Sequence, residues 1–255
     1  MANYFESKND NGKVVIDDTT RMLSLLRCGV VTSMATCIES GAFSWYGNRP
    51  NDDRRVGAAG LYRLSLSANE KLVAFSVPND GNVAVCTSQV STSLVNVIIF
   101  RTEQSSESIA SIAGKIKLYI FGEDYTANNR CGIQIFNASG NLVFKNTDYM
   151  MNVKGYWNMS IDMFRKECNG LPASFLIKEN AGNMAVVCSS YAGNWVKDPN
   201  NSIPPHCGVY AVSRTGNNLY AKLIVMYWFS NCYEYYNGLN DQSAALLVDI
   251  TNAPI

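Results

Sequence analysis

The sequence has little charge and no excess of either sign. Asp, Glu, Lys and Arg make up 16% of its 255 residues, below the roughly 25% that is usual for soluble domains. Lys plus Arg and Asp plus Glu number 21 each, so no net field attracts the chain to nucleic acid or to an anionic membrane. We therefore expect neither nucleic-acid binding nor membrane insertion.

The sequence is also poor in groups for acid–base and metal chemistry. His206 is the only histidine, and the eight cysteines include no C-x-x-C pair, whereas zinc sites are normally built from closely spaced Cys and His ligands. Cys207 follows His206, but neighbouring residues of a strand point to opposite faces and do not activate each other. We expect no metal and no cofactor, and we expect Cys86 and Cys188, which lie in apolar runs, to be buried reduced thiols.

Long apolar segments are missing as well. The N-terminal stretch MANYFESKNDNGK has neither the basic start nor the apolar core of a secretory signal. The most apolar run, LIVMYWF at residues 223–229, is far too short to cross a bilayer as a helix. These features predict a protein that is made in the cytoplasm.

One phrase occurs twice in the chain. Residues 4–25 and 132–153 align with Gly12 on Gly140, an offset of 128 residues (140 minus 12) that is close to half the chain length. The aligned pairs Gly12 and Gly140, Val15 and Val143, Thr19 and Thr147, and Met22 and Met150 are identical. A period of this size predicts two copies of one structural module.

The phrase has the pattern of a β-hairpin that leads into a third strand. Asn11-Gly12 and Ser139-Gly140 supply the positive φ of a tight turn between apolar-rich runs. Further short apolar runs with Gly and Asn turns follow along the whole chain, which is typical of β-sandwiches and barrels. We predict an all-β fold of two tandem β-sandwich-like modules, residues 1–128 and 129–255, each opened by the similar hairpin and joined near residues 123–130.

A second hairpin is predicted in each module. Residues 71–77 and 82–86 flank the turn at 78–81, and residues 174–178 and 184–188 flank a turn at 180–183. Matching Gly81 to Gly182 gives an offset of 101 residues (182 minus 81). The first module would then hold 27 more residues (128 minus 101) between its two hairpins, and the polar stretch at 42–57 is the predicted insertion.

The remaining polar groups do not form a recognised catalytic pattern. No serine lies in a G-x-S-x-G frame, and no phosphate-binding glycine loop occurs. The acidic doublets Asp52-Asp53 and Glu123-Asp124 are the candidates for a glycosidase pair, but neighbouring carboxylates in loops are usually solvated turn residues. We predict that the protein is not an enzyme.

Aromatic side chains are concentrated in two segments, one at 45–55, where arginines accompany them, and one in YWFSNCYEYY at 227–236, and the first is the favoured contact surface. Aromatic rings with polar groups and forked guanidinium groups suit both protein hot spots and sugar stacking. Packing in the core is the alternative role for the tyrosine-rich segment. The candidate contact surface consists of Trp45, Tyr46, Arg49, Arg54, Arg55, Tyr233, Tyr235 and Tyr236.

The hairpin phrase resembles one in a family of uncharacterised tail proteins from tailed bacteriophages and prophages. In that family a start similar to MANYFES, followed by NGKVVIDD, opens the chain, and a phrase similar to IQIFNASGNLVFKNTDY at 133–149 lies near the middle. The resemblance covers about 45 residues directly. It departs from the family at Lys145-Asn146, where an acidic residue is more usual, which argues against a bound cation there.

The resemblance implies a non-enzymatic structural component of a phage tail tip or tail fibre. Such a protein is synthesised in the host cytoplasm, resides in the virion, binds other phage tail proteins and contributes to contact with a host receptor or glycan. It implies a homo-oligomer, with a trimer favoured, in which the first module docks and the second is exposed.

Two other functions stay open from the residues alone. A carbohydrate-binding, lectin-like module is suggested by the aromatic and Asn/Asp-rich loops. A glycan hydrolase carried on a phage tail is suggested only by the two acidic doublets.

Overall fold

The computed structural model describes residues 6–8, 14–17, 23–41, 56–102, 104–123, 134–137, 139–145, 149–160, 174–188, 193–196, 206–227 and 242–253. Most of these residues lie in strands and few lie in helices, so the predicted all-β fold is confirmed. The strands are β1 (Glu6–Lys8), β2 (Val14–Asp17), β3 (Ser24–Val30), β4 (Thr36–Gly41), β5 (Val56–Ser65), β6 (Glu70–Phe75), β7 (Val83–Ser91), β8 (Leu94–Thr102), β9 (Lys117–Gly122), β10 (Gln134–Phe136), β11 (Leu142–Lys145), β12 (Asn152–Ser160), β13 (Ser174–Lys178), β14 (Met184–Cys188), β15 (Gly193–Val196), β16 (His206–Thr215), β17 (Asn218–Tyr227) and β18 (Gln242–Asp249). The two short helices are α1 (Val31–Met34) and α2 (Ile109–Ala113).

Two large antiparallel sheets pack face to face as a sandwich. The six-stranded sheet has the order β12-β18-β14-β6-β9-β3, and the eight-stranded sheet has the order β13-β17-β16-β7-β8-β5-β4 with β15 beside β16. Side chains alternate between the two faces of each strand, and the inward set forms one apolar core, with Phe75 and Ile120 from the first sheet against Val85 and Ile99 from the second. Helix α2 adds Ile112 to this core.

The order of strands in each sheet consists of two corresponding halves. In the six-stranded sheet, β3, β9 and β6 of the first half correspond to β12, β18 and β14 of the second. In the eight-stranded sheet, β5, β8 and β7 correspond to β13, β17 and β16. The halves meet where β6 pairs with β14 and where β7 pairs with β16, and both pairings are antiparallel. The sandwich therefore has a pseudo-twofold axis, and we call the junction formed by these four strands the seam.

The repeated phrase folds in the same way in both halves, as predicted. Each copy forms a separate two-stranded hairpin whose register shifts after the second pair, which leaves Val15 and Val143 as the bulged residues. Strands β3 and β12 then begin 128 residues apart, at Ser24 and Asn152. The paired residues of the second hairpin also lie 128 positions after those of the first: Glu6↔Asp17, Ser7↔Ile16 and Lys8↔Val14, against Gln134↔Lys145, Ile135↔Phe144 and Phe136↔Leu142.

The turn of the second hairpin is held by a single asparagine. The side-chain oxygen of Asn137 accepts hydrogen bonds from the backbone N–H groups of Ser139 (3.0 Å) and Asn141 (2.9 Å). Gly140 has a φ of +77°, a conformation that favours glycine because a Cβ would clash with the backbone. The Ser-Gly signal in the sequence therefore marks the turn for the expected reason.

The other two predicted hairpins, 71–77 with 82–86 and 174–178 with 184–188, do not form. β6 lies in the six-stranded sheet and β7 in the eight-stranded sheet, and β13 and β14 are separated in the same way. At 78–83 the Asp80 side chain accepts a hydrogen bond from Asn82 N (2.9 Å), and the chain crosses from one sheet to the other. The sequence pattern identified the strands and the turns correctly, but it contains no information on whether a turn returns within a sheet or crosses to the facing one.

The two halves share both sheets and one core. The core cluster combines Phe75 and Val85 of the first half with Val186, Val212 and other apolar residues of the second. The predicted division at 128/129 falls between β9, which ends at Gly122, and β10, which begins at Gln134. The predicted modules are thus repeats of one topology that are joined edge to edge around a common core.

The two ends of the six-stranded sheet also meet. Leu25 N donates to Tyr149 O (2.7 Å), and Met151 N donates to Leu23 O (2.8 Å). These bonds join the start of β3 to the segment that leads into β12, and β3 and β12 are the two end strands of the sheet. The sheet therefore curls, and a second apolar cluster lies on its other face, formed by Ala74, Tyr119, Phe121, Ala185, Val187, Val248 and Ala253.

Candidate interaction surface

The predicted contact surface lies outside the described part of the chain. Its eight residues, from Trp45 to Arg55 and from Tyr233 to Tyr236, lie outside the described ranges. The acidic doublet Asp52-Asp53 lies outside them too, and of Glu123-Asp124 only Glu123 is described. The strands that flank these segments can nevertheless be placed.

The flanking strands show that the two predicted segments leave the eight-stranded sheet at different ends. β5 begins at Val56, which pairs with Thr102, the last residue of β8. β17 ends at Tyr227, which pairs with His206, the first residue of β16. Because β8 runs antiparallel to β7 and β7 runs antiparallel to β16, the strand ends at Thr102 and Tyr227 lie at opposite ends of the sheet.

The described residues contain an exposed apolar surface that the sequence patterns did not single out. Val153 and Tyr156 on the end strand β12 are 45% and 62% exposed. Tyr156 pairs with the half-buried Leu246 on β18, and Val153 pairs with Val248, two residues further along the same strand. Val153, Tyr156 and Leu246 therefore lie on one face of the sheet. We call Val153, Tyr156 and Leu246 the β12 patch.

Packing of the neighbouring tryptophan explains why Tyr156 is exposed. Adjacent residues of a strand point to opposite faces, and Trp157 packs against the core between the sheets. Tyr156 must therefore point away from that core. The signal in the sequence was the dipeptide Tyr156-Trp157 itself, because one aromatic ring of such a pair faces outward on any strand with one buried face.

Charged groups form a rim beside the β12 patch. Lys154 Nζ lies 3.9 Å from Asp249 Oδ2, and Asp249 Oδ1 accepts hydrogen bonds from the hydroxyl (2.6 Å) and the backbone N–H (2.9 Å) of Thr251. The hydrogen bonds from Thr251, with a smaller contribution from Lys154, hold the pKa of Asp249 below its ordinary value. An apolar centre with a polar rim is the usual composition of a protein contact surface.

Each end strand of the two large sheets contains a β-bulge. The extra residues are Leu26 on β3, Ile38 on β4, Lys154 on β12 and Ile177 on β13. Bulges interrupt the ladder of unpaired backbone groups and discourage the addition of a foreign strand. These edges therefore favour contacts through side chains such as Tyr156, not through strand addition.

The most buried carboxylate among the described residues, Glu70, is paired with an arginine. Glu70, 6% exposed, accepts hydrogen bonds from Arg27 Nε (2.5 Å) and Nη2 (3.1 Å) and from the backbone of Ser67 (2.9 Å). Burial alone would raise the pKa of Glu70, but the hydrogen bonds from Arg27 and Ser67 outweigh burial and lower it. Arg27 also donates to Ser65 O (2.9 Å). The arrangement ties β3 to the turn between β5 and β6.

Cys37, Cys86 and Cys188 are free thiols. Cys86 is buried, Cys28 and Cys188 are half-buried and Cys37 is exposed. Burial raises the pKa of Cys86, and it raises the pKa of Cys188 to about 12. Because the thiolate is the reactive form, these two cysteines are poor nucleophiles. The predicted burial is confirmed for Cys86, whereas Cys188 is only half-buried.

The described ranges show neither a metal-binding cluster nor a membrane-spanning helix. Within them, no group of three or more His, Cys, Asp and Glu side chains is arranged to hold a metal ion. No helix in the same part of the chain has the length and apolar character needed to span a membrane.

Searches of protein-family models, of curated protein sequences and of solved structures found no match to this chain.

Proposed function

We propose that this protein is a non-enzymatic structural component of a bacteriophage tail tip or tail fibre that assembles through side-chain contacts with other tail proteins. In this role it is a homo-oligomer, with a trimer favoured, and it contributes to contact with a host receptor or glycan. The β12 patch is the observation that carries the proposal.

The β12 patch supports an assembly role because of where its side chains lie. Large apolar side chains on a rigid strand lose little conformational freedom when they are covered, and their burial contributes about 25 cal/mol for each Å² removed from water. Tyr156 is the most exposed of the large apolar residues in the described part of the chain. A tyrosine surrounded by polar groups has the composition of an interface hot spot.

The charged groups also support a structural role, because they hold parts of the fold together. Arg27 and Glu70 hold two strands and a turn together, and Asp249 holds the turn after β18 through Thr251. These groups already have partners within the fold. The resemblance of both hairpin phrases to phage tail proteins supplies the virion context, and the matching registers of the two hairpins support a duplicated building block.

Mass spectrometry of purified phage particles from a host that carries the gene tests the proposal. We expect peptides of this protein in the particles in a fixed ratio to other tail proteins. A Val153→Ser, Tyr156→Ser variant should fold, because both side chains are largely exposed, and its incorporation into particles should fall by about tenfold. Val90→Ser is the matched control, since Val90 is 53% exposed on β7 away from the patch, and it should be incorporated normally.

Absence of the protein from intact particles would exclude the proposal. If the protein is absent from particles but the isolated protein binds glycans on an array, the lectin-like alternative is correct. If the patch variant is incorporated as well as the wild-type protein, the β12 patch is not the assembly surface.

A further inference from the structure

We infer that the seam is a protein–protein interface in its own right. Across it, each half binds the other half of the same chain, and that other half is a second copy of the same module. The two halves should therefore stay bound to each other after the chain is cut between β9 and β10. This inference does not depend on the proposed function, because it concerns contacts within one chain.

The strands of the seam are equivalent to each other in the two halves. β6 and β14 occupy the same place in their halves, as do β7 and β16, and each pair meets antiparallel. Antiparallel contact between equivalent elements is the geometry of a twofold homodimer, in which one surface patch meets a second copy of itself. The chain therefore has the construction of such a dimer in a single polypeptide.

Buried apolar side chains lie at the centre of the seam. Strand pairing across it is brief, with Phe75 opposite Val186 in one sheet and Val85 opposite Val212 in the other. Phe75, Val85 and Val186 have no exposed surface, and Val212 has almost none. An interface whose centre is fully buried and apolar resembles that of a permanent dimer, which has the character of a domain core cut in two.

A hydrogen bond and a close steric approach join the two halves at the seam. Lys222 Nζ on β17 donates to the carbonyl oxygen of Gly81 in the other half (2.5 Å). A Cβ on Gly81 would lie 2.8 Å from Thr215 Oγ1, which also belongs to the other half, and the next nearest atoms beyond its chain neighbours belong to the same threonine. A side chain at Gly81 would therefore clash with Thr215 in the other half.

Each half contains a full set of elements. Each has its own hairpin and contributes strands to both large sheets, and in sequence the chain passes from one half to the other once, between Gly122 and Gln134. Cys37, Cys86 and Cys188 are free, so none of these three forms a disulfide across the seam. One cut within residues 124–133 therefore removes the direct backbone link between the halves.

The test uses the full-length folded protein with a specific protease site placed within residues 124–133. After complete cleavage, we expect the two fragments to elute together in gel filtration under native conditions, as one particle of the mass of the intact chain. Denaturant should separate them. Separate elution of the two fragments under native conditions, or precipitation of either one, would overturn the inference.

Variants at the seam show whether the seam holds the fragments together. In the cleaved protein, Lys222→Met should raise the dissociation constant of the fragments about fivefold, since it removes a charged hydrogen-bond donor, whereas Lys178→Met on the end strand β13 should not change it. Gly81→Val should raise it about tenfold through the clash with Thr215, and adding Thr215→Ala should restore most of the affinity. If Lys178→Met weakens the complex as much as Lys222→Met, or if Thr215→Ala rescues nothing, the fragments are held by a different surface.

Discussion

Gly122→Ala is expected to lower the free energy of unfolding by about 3 kcal/mol, because the added methyl group has no space. Gly122 is the last residue of β9 and lies between two neighbours, paired with Ser24 on β3 and Glu70 on β6. A Cβ at this position would overlap the backbone oxygen of Asn69 and lie 2.7 Å from Leu26 Cδ1. The Asn69 oxygen accepts a hydrogen bond from Glu123 N (2.9 Å), so it cannot move away without losing that bond.

Gly114→Ala is the matched control for this substitution. Gly114 follows α2 in a helical conformation (φ −67°), and a Cβ there would meet nothing closer than the backbone oxygen of Ser111 at 3.3 Å. The free energy of unfolding of the Gly114→Ala variant should differ from that of the wild-type protein by less than about 1 kcal/mol. Urea unfolding of the two variants measures the difference, and equal stabilities would show that β9 does not pass between β3 and β6 as closely as described.

Phe75→Ala is expected to lower the free energy of unfolding by about 4 kcal/mol. Phe75 has no exposed surface, and it pairs with Leu118 in its own half and with Val186 across the seam. Because the cavity opens where the two halves meet, both halves should lose stability together in one transition. Phe136→Ala, which truncates a phenylalanine that is 46% exposed on β10, should cost less than about 0.5 kcal/mol.

Denaturant unfolding followed by tryptophan fluorescence and by circular dichroism checks the Phe75 prediction. The two probes should give the same, lowered midpoint in Phe75→Ala. A second half that unfolds at the wild-type midpoint, while the first half unfolds earlier, would show that the two halves have separate cores.

The local features of the fold were predictable because they depend on short stretches of sequence. Turn chemistry at Ser139-Gly140 and the alternation around it identified the second hairpin, and its alignment with the N-terminal copy gave the offset of 128 residues that the structure reproduces at Ser24 and Asn152. The burial of Cys86 in an apolar run was predictable on the same basis.

The pairing of strands was not predictable in the same way. The turn at 78–81 has the residues of a hairpin turn, yet β6 pairs with β9 and β14, both remote in sequence. Matching that segment to 174–188 therefore aligned elements that are not equivalent, since β6 corresponds to β14. Counted from strand starts, β3 to β6 spans 46 residues (24 to 70) and β12 to β14 spans 32 (152 to 184). The first half thus has 14 extra residues there instead of 27.

The β12 patch was missed because exposure depends on neighbours that are remote in sequence. Tyr156 points away from the core because Trp157 packs against it. It lies on an end strand of its sheet, whose partner in the strand order, β18 at residues 242–249, is remote in sequence. The aromatic-rich segments that were singled out stay predictions. For these segments the structure gives only the ends of the flanking strands.

A cross-link across the seam is the most direct test of the pseudo-twofold sandwich. Ala84 on β7 and Ser213 on β16 are direct partners, and the Cα atoms of such antiparallel pairs lie about 4.5 to 5.5 Å apart, within the range that a disulfide spans. In a Cys86→Ala background, Ala84→Cys combined with Ser213→Cys should oxidise to one disulfide, seen as a linked peptide by mass spectrometry. Ser88→Cys combined with Ser213→Cys should not, since Ser88 lies about 13 Å further along β7. A linked peptide from the Ala84 and Ser213 positions is the predicted result, and its absence, or equal linkage from Ser88, would contradict the joining of the two halves at the seam.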